Sequence, residues 1–140
     1  MCENGISINN IFDDEIYANL TKENDGPHIN GFLYKLKFLC VSTLNQGSIT
    51  VWDLINKNVF QEIKFECKNC FEMIDWNNNY SIVGCGDYFC LINIEEGKIV
   101  KKLNFEHVSC YNIKRIELNK TQRCLLTSGD GFINLFISKN

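Results

Sequence analysis

The strongest constraint on the fold of this chain is a strand-and-turn unit that occurs three times. The stretch SITVWDLINKN (48–58) reads as a half-buried strand ending in a polar turn. Its segment Ile49-Thr50-Val51-Trp52 aligns with Phe89-Cys90-Leu91-Ile92 and with Ile133-Asn134-Leu135-Phe136, at offsets of 40 and 44 residues. A turn precedes each copy: Asn45-Gln46-Gly47, Cys85-Gly86-Asp87 and Gly129-Asp130-Gly131. Upstream of each turn lies a short β-type run, CVST (40–43), SIVG (81–84) and CLLT (124–127), so that Cys40 and Cys124 stand at equivalent starts. Three copies with matching turns predict a repeat, not a solitary hairpin.

Two more strands complete the unit. An apolar-x-x-apolar-x-apolar spacing precedes each copy at Leu33/Leu36/Phe38, Phe71/Ile74/Trp76 and Ile113/Ile116/Leu118. After the first two copies come VFQEIKF (59–65) and KIVKKLNF (98–105), opened by the polar turns INKN (55–58) and EEGK (95–98). The unit is therefore four short antiparallel strands, a to d. Near-continuous apolar runs such as CLLT suit strands covered on both faces, and the charged d strands suit exposed edges. From Phe38 to Gly47 is 9 positions, against 13 from Leu118 to Gly131. The first a–b hairpin is thus predicted to have a very tight turn or a damaged strand a.

A period of this length, with Trp-Asp ending the third strand, marks a propeller blade, and the chain resembles the WD40 repeat family over residues 28–140. His28 stands where the family's Gly-His histidine stands, 24 positions before Trp52, with Pro27 in place of glycine. His107 holds the same place before the third blade, with Glu106 beside it. Trp52-Asp53 is the one intact Trp-Asp; its equivalents are Ile92-Asn93 and Phe136-Ile137. The resemblance implies an all-β, partial WD40-like propeller of about three blades (28–66, 67–106, 107–140). A polar segment (1–27) precedes them, in which ISINNIF (6–12) is the one candidate strand.

The resemblance also implies a buried network of a histidine, a b-strand Ser or Thr, the Trp and a turn Asp. The first blade offers His28, Ser42 or Thr43 and Trp52-Asp53, with Asn45 where the turn acid stands; the third offers His107, Thr127 or Ser128 and Asp130. A missing partner leaves a buried polar group unsatisfied at about 1–3 kcal/mol, so these networks are expected to be incomplete or water-filled. Three blades are too few to close a ring, which takes roughly four to eight. The chain is therefore expected to be the C-terminal part of a larger propeller, self-associating through exposed blade faces where nothing covers them.

Composition narrows the function. With 140 residues, 45% hydrophobic and 22% charged, the chain can bury one modest core. A net charge of −3, with basic pairs only at Lys101-Lys102 and Lys114-Arg115, gives no nucleic-acid or membrane footprint. Without an apolar span or an export signal, the chain reads as intracellular and its eight cysteines as thiols. Cys67, Cys70, Cys85 and Cys90 could ligate zinc as an alternative, although their spacing across a connection, a turn and a strand disfavours it. Neither His28 nor His107 has a nucleophile placed beside it, so no catalysis and no cofactor are expected.

The resemblance instead implies a non-catalytic scaffold that binds other proteins or peptides. Its binding face is expected in the b–c turns (Asn45, Gln46, Gly86, Asp87, Asp130) and the d–a connections (Lys68, Asn69, Ser109, Cys110). A further alternative is a propeller subunit of a histone methyltransferase complex, which NIKRIELNKTQRCLLTSGDGFINLF (112–136) loosely resembles.

Overall fold

A computed structural model of the chain describes residues 5–9, 16–21, 28–43, 47–67, 72–86, 88–104, 112–118, 123–129 and 132–137. Within them every regular element is a strand. A first hairpin is made by β1 (Gly5–Asn9) and β2 (Ile16–Thr21). The first blade contains β3 (His28–Tyr34), β4 (Phe38–Thr43), β5 (Ser48–Asp53) and β6 (Asn58–Lys64). The second contains β7 (Met73–Asp75), β8 (Ser81–Gly84), β9 (Tyr88–Asn93) and β10 (Lys98–Asn104). The third contains β11 (Asn112–Glu117), β12 (Arg123–Gly129) and β13 (Phe132–Ile137). Each sheet is an antiparallel meander in sequence order, with four, four and three strands. Among the described residues no helix is long and apolar enough to cross a membrane.

The sheets stack face to face, and three apolar layers glue them. Leu20, Val41 and Trp52, with Ile6 and Ile8, join the hairpin to the first blade. Cys40, Ile49, Val51, Ile63, Val83, Cys90 and Ile92 join the first blade to the second. Ile82, Phe89, Ile113 and Leu125, with Phe136, join the second to the third. A fully buried Val, Ile or Phe contributes about 1.5–3 kcal/mol, whereas an exposed ion pair contributes about 0–1. Pairs such as Lys35–Glu95 (2.8 Å) therefore only trim a structure that stacking holds together.

Because β5 has a sheet on each side, all six of its residues are buried. The alternating sequence suggested a half-buried strand, but here Ile49 and Val51 face the second blade while Trp52 faces the hairpin. Strand β6 shows the opposite, with only Ile63 buried.

Several sequence expectations need correction. The segment before His28 holds two strands, not one, and they pair with each other through Gly5↔Thr21 to Asn9↔Ile16. Strand a of the first blade ends at Tyr34, so Leu36 lies in a turn and Phe38 opens the next strand. Phe32, opposite Cys40, takes the place of Ile74, opposite Ile82. The short a–b spacing is accommodated by a tight turn: Lys35 (φ 49°) and Leu36 (φ 52°) are left-handed, and the Lys37 amide donates to the Tyr34 carbonyl (3.1 Å). Cys40 and Cys124 are both fully buried, but their positions are not equivalent. Cys40 lies opposite Val51, whereas Cys124 lies opposite Ile137, two places earlier in the repeat.

The end faces of the stack differ. The hairpin turns Leu20 and the half-buried Ile6 and Ile8 inward and leaves Ser7, Asn19 and Thr21 outside. On β13, Phe136 packs inward, and alternation sends Ile133 (76% exposed), Leu135 (53%) and Ile137 (55%) to the other face. One end is polar and the other apolar.

Candidate functional site

The meander order gathers the b–c turns and the d–a connections at one end of the stack. The Phe65 amide, after β6, donates to the Gly47 carbonyl in the first b–c turn (2.8 Å). In the second blade the Gly84 amide donates to the Glu72 carbonyl (2.9 Å), and the Cys85 amide donates to the Tyr88 carbonyl (2.9 Å). The Glu72 carboxylate then accepts the Ile113 amide of the next blade. The a–b and c–d turns lie at the opposite end, where the Leu54 amide donates to the Lys37 carbonyl (3.0 Å).

Gly86, in the second b–c turn, has φ +75° and open space where a side chain would be. The other expected interaction residues, Asn45, Gln46, Lys68, Asn69, Asp87, Ser109, Cys110 and Asp130, lie outside the described residues. So do Cys70 and His107. His28 and Thr43 face each other in the β3–β4 ladder, but their side chains, like those of Thr127 and Ser128, are also outside what is described.

Just inside this end lies a cluster that the repeat grammar did not bring together. Tyr88, Cys67, Cys85 and Cys90 pack in one apolar layer, and the Cys85 thiol donates to the Val83 carbonyl (3.9 Å). Lys102 covers the Tyr88 ring with its ammonium 4.0 Å from the centroid and pairs with Glu66 at 3.4 Å. Burial, reinforced by the neighbouring thiols, pushes the Tyr88 phenol well above its usual range. The Cys85 thiol pulls the Cys90 thiol down, aided by Lys102 and opposed by burial and Glu66. Cys85 and Cys90 are 2% and 1% exposed, so both thiols are closed to solvent. Cys67, Cys85 and Cys90 thus converge around a phenol. No group of three or more His, Cys, Asp or Glu among the described residues is arranged to hold a metal ion. Burial alone pushes the Cys40 thiol up to about 12.

Around Trp52-Asp53 the two side chains work apart. The buried Trp52 indole packs against the hairpin, and its Nε1 has no hydrogen-bond partner among the described residues. The Ser42 hydroxyl donates to the Asn30 carbonyl instead (3.5 Å). Asp53 caps the c–d turn: one carboxylate oxygen accepts the Ile55 (2.9 Å) and Asn56 (3.1 Å) amides, the other the Asn56 side-chain amide (2.9 Å). Asn93 does the same in the second blade, accepting the Glu95 and Glu96 amides at 3.1 and 3.2 Å.

The Asn56 backbone amide, followed by the Asn56 side chain, the Ile55 amide and the Lys37 charge, outweighs burial and holds the Asp53 carboxyl below its usual range. A carboxyl lowered in the folded state stabilises the fold above its unfolded pKa of about 3.9, and that contribution is lost as pH falls through the folded value. Thermal melts from pH 7 to 2.5 are therefore expected to show a steeper acid loss for the natural chain than for Asp53→Asn. Equal slopes would remove Asp53 from the acid limb.

No protein-family model matches the chain, and no curated protein sequence matches it significantly. Solved structures do. The chain is similar to dihydro-heme d1 dehydrogenase NirN in complex with DHE, with a TM-score of 0.74 and 15% identity over 96% of this chain and 30% of that one. It is similar to Kuenenia stuttgartiensis hydrazine synthase, with a TM-score of 0.75 and 14% identity over 96% of this chain and 39% of that one. It is also similar to the β-propeller domain of Myceliophteria thermophila Cps50 (Swd1), with a TM-score of 0.60 and 17% identity over 81% of this chain and 39% of that one. The fold is a partial β-propeller. At 14 to 17% identity the likeness is one of fold, and the chain spans well under half of each of these structures.

Proposed function

We propose that this chain is a non-catalytic interaction scaffold of WD40-repeat type, forming part of a larger propeller inside the cell and binding other proteins or peptides. The observation that carries the reading is the rigid stack itself. The first two blades, each packed on both faces, fix the strand ends that carry the b–c turns and d–a connections, and loops on a rigid frame suit recognition. The thiol and phenol cluster behind that end favours the same reading, since its groups are packed against one another and the Cys85 and Cys90 thiols are closed to solvent rather than presented to a substrate. The apolar outer face of β13 supports membership of a larger ring, because apolar area of that kind normally faces another surface. WD40 character rests on the repeat period, Trp52-Asp53 and the turn-capping role that Asn93 repeats in the next blade.

The test is quantitative affinity capture with the natural chain and a variant carrying Asn45→Ala, Gln46→Ala, Lys68→Ala and Asn69→Ala. The reading expects partners to be lost from the variant at an unchanged melting temperature. Equal capture by both chains would refute a loop-borne binding face.

A further inference from the structure

Among the described residues three that are not glycine have positive φ, and all three sit in the a–b and c–d turns of the first blade: Lys35 (49°), Leu36 (52°) and Lys57 (54°). That conformation is costly for an L-residue and open to glycine. The second blade shows the relaxed form of the c–d turn. Asp53 pairs with Asn58 as Asn93 pairs with Lys98, so Ile55 stands where Glu95 does and Lys57 where Gly97 does. Gly97 takes the same conformation (φ 65°) with no side chain to strain. The second a–b turn is tipped by Asn77, Asn78 and Asn79. The first blade thus carries Leu36, Ile55 and a strained lysine where the second carries polar tips and a glycine. Folding does not recover the strain by burying them, since Leu36 is 86% and Ile55 72% exposed. Strain held at exposed positions points to a ligand.

The two turns make one surface. The Leu54 amide donates to the Lys37 carbonyl (3.0 Å) and fixes them side by side. Next to them the half-exposed Phe60 ring stacks on Phe38 (4.8 Å). Lys35, Lys37 and Lys57 stand exposed around the tips. Glu95 (2.8 Å) steadies Lys35, and the buried Asp53 (3.9 Å) steadies Lys37. Apolar tips bordered by lysines complement a partner that is both apolar and acidic. The hairpin and the second blade pack on the two faces of the first blade, so a ring that closes face to face leaves these tips uncovered. The acidic turns of a second copy, Glu95 and Glu96 beside Asn77, Asn78 and Asn79, lack the apolar half.

We propose that the a–b and c–d turns of the first blade bind an extended acidic segment of another protein. The segment seats apolar side chains on Leu36 and Ile55 and directs Asp or Glu carboxylates to Lys35, Lys37 and Lys57.

This inference rests on the interaction reading but uses the opposite end of the stack from the b–c turns, so the two fail separately. A random dodecapeptide phage library is panned in parallel on the immobilised natural chain and on a turn variant carrying Leu36→Gly, Ile55→Ser and Lys57→Gly. Clones that prefer the natural chain are expected, each joining apolar residues to Asp or Glu. As a fluorescein-labelled peptide followed by anisotropy, the leading clone is expected to bind the natural chain and the four-alanine loop variant alike. It is expected to bind the turn variant roughly tenfold or more weakly. Exchanging its acidic residues for Asn or Gln weakens it roughly fivefold or more. Because glycine relaxes both turns, the turn variant is also expected to melt at a higher temperature than the natural chain, the reverse of what a structural role would give. No clone preferring the natural chain, preferred clones without carboxylates, or a lower melting temperature overturns the proposal. Sedimentation of the natural chain but not the variant with phosphatidylserine vesicles also overturns it, in favour of a membrane surface. A dimer by light scattering that the variant abolishes overturns it in favour of a second copy.

Discussion

Gly47→Val is expected to cost the chain about 3 kcal/mol or more, read as a shift of the urea unfolding midpoint at constant slope. Two effects add. Gly47 has φ +55°, a conformation that costs an L-residue roughly 1–2 kcal/mol. A Cβ there would also run into the Cys67 carbonyl, a backbone atom that cannot swing aside. The turn cannot retreat either, because the Gly47 carbonyl accepts the Phe65 amide (2.8 Å) and so fastens the b–c turn to the end of β6. Gly86→Ala separates the two effects. Its φ of +75° carries the same backbone cost, but nothing lies within 4 Å, so a loss of only about 1–2 kcal/mol is expected. Equal losses at the two glycines would show that the packing of Cys67 against the first turn is wrong.

Phe89→Ala is the second large effect, at about 3–5 kcal/mol. Phe89 is fully buried between the second and third blades, beside Ile82, Ile113, Leu125 and Phe136. Removing the ring leaves a cavity that flat, hydrogen-bonded sheets cannot collapse to fill. Ile133→Ser, 76% exposed on the outer face of the third blade, is expected to change stability by no more than about 0.5 kcal/mol and to reduce aggregation. Comparable losses from both substitutions would mean that the outer face is covered in solution.

These contrasts show which parts of the structure were legible in the chain. The c strands were plain, because three aligned apolar runs behind glycine turns leave few other architectures. Trp52-Asp53 proved to be two separate devices: Trp52 packs on one blade face and Asp53 closes the following turn. Asn93 keeps the turn-capping function after the Asp is lost, whereas Ile137 has no acceptor to do so.

Strand a of the first blade was misplaced because Leu36 and Phe38 mimic strand spacing. Their true setting, a turn and the start of β4, depends on left-handed Lys35 and Leu36, residues with no turn signature. The first hairpin was half hidden, since β2 (IYANLT) carries polar residues on its outer face and reads as linker. The thiol–phenol cluster had only scattered signals: Cys67, Cys85, Tyr88 and Cys90 meet because a connection, a turn and a strand end share one end of the stack.

The central claim is the order of stacking: hairpin, first blade, second blade, third blade, with no apolar layer joining the hairpin to the third blade among the described residues. Methyl–methyl and methyl–aromatic NOE spectroscopy on the isotope-labelled chain tests it directly. The account predicts cross-peaks of Leu20 with Val41, of Val51 with Val83 or Ile92, and of Leu125 with Ile82 and Phe89. It predicts none between Leu20 or Ile8 and Leu125 or Leu135. Cross-peaks joining the hairpin to the third blade would instead describe a closed small ring and contradict the account.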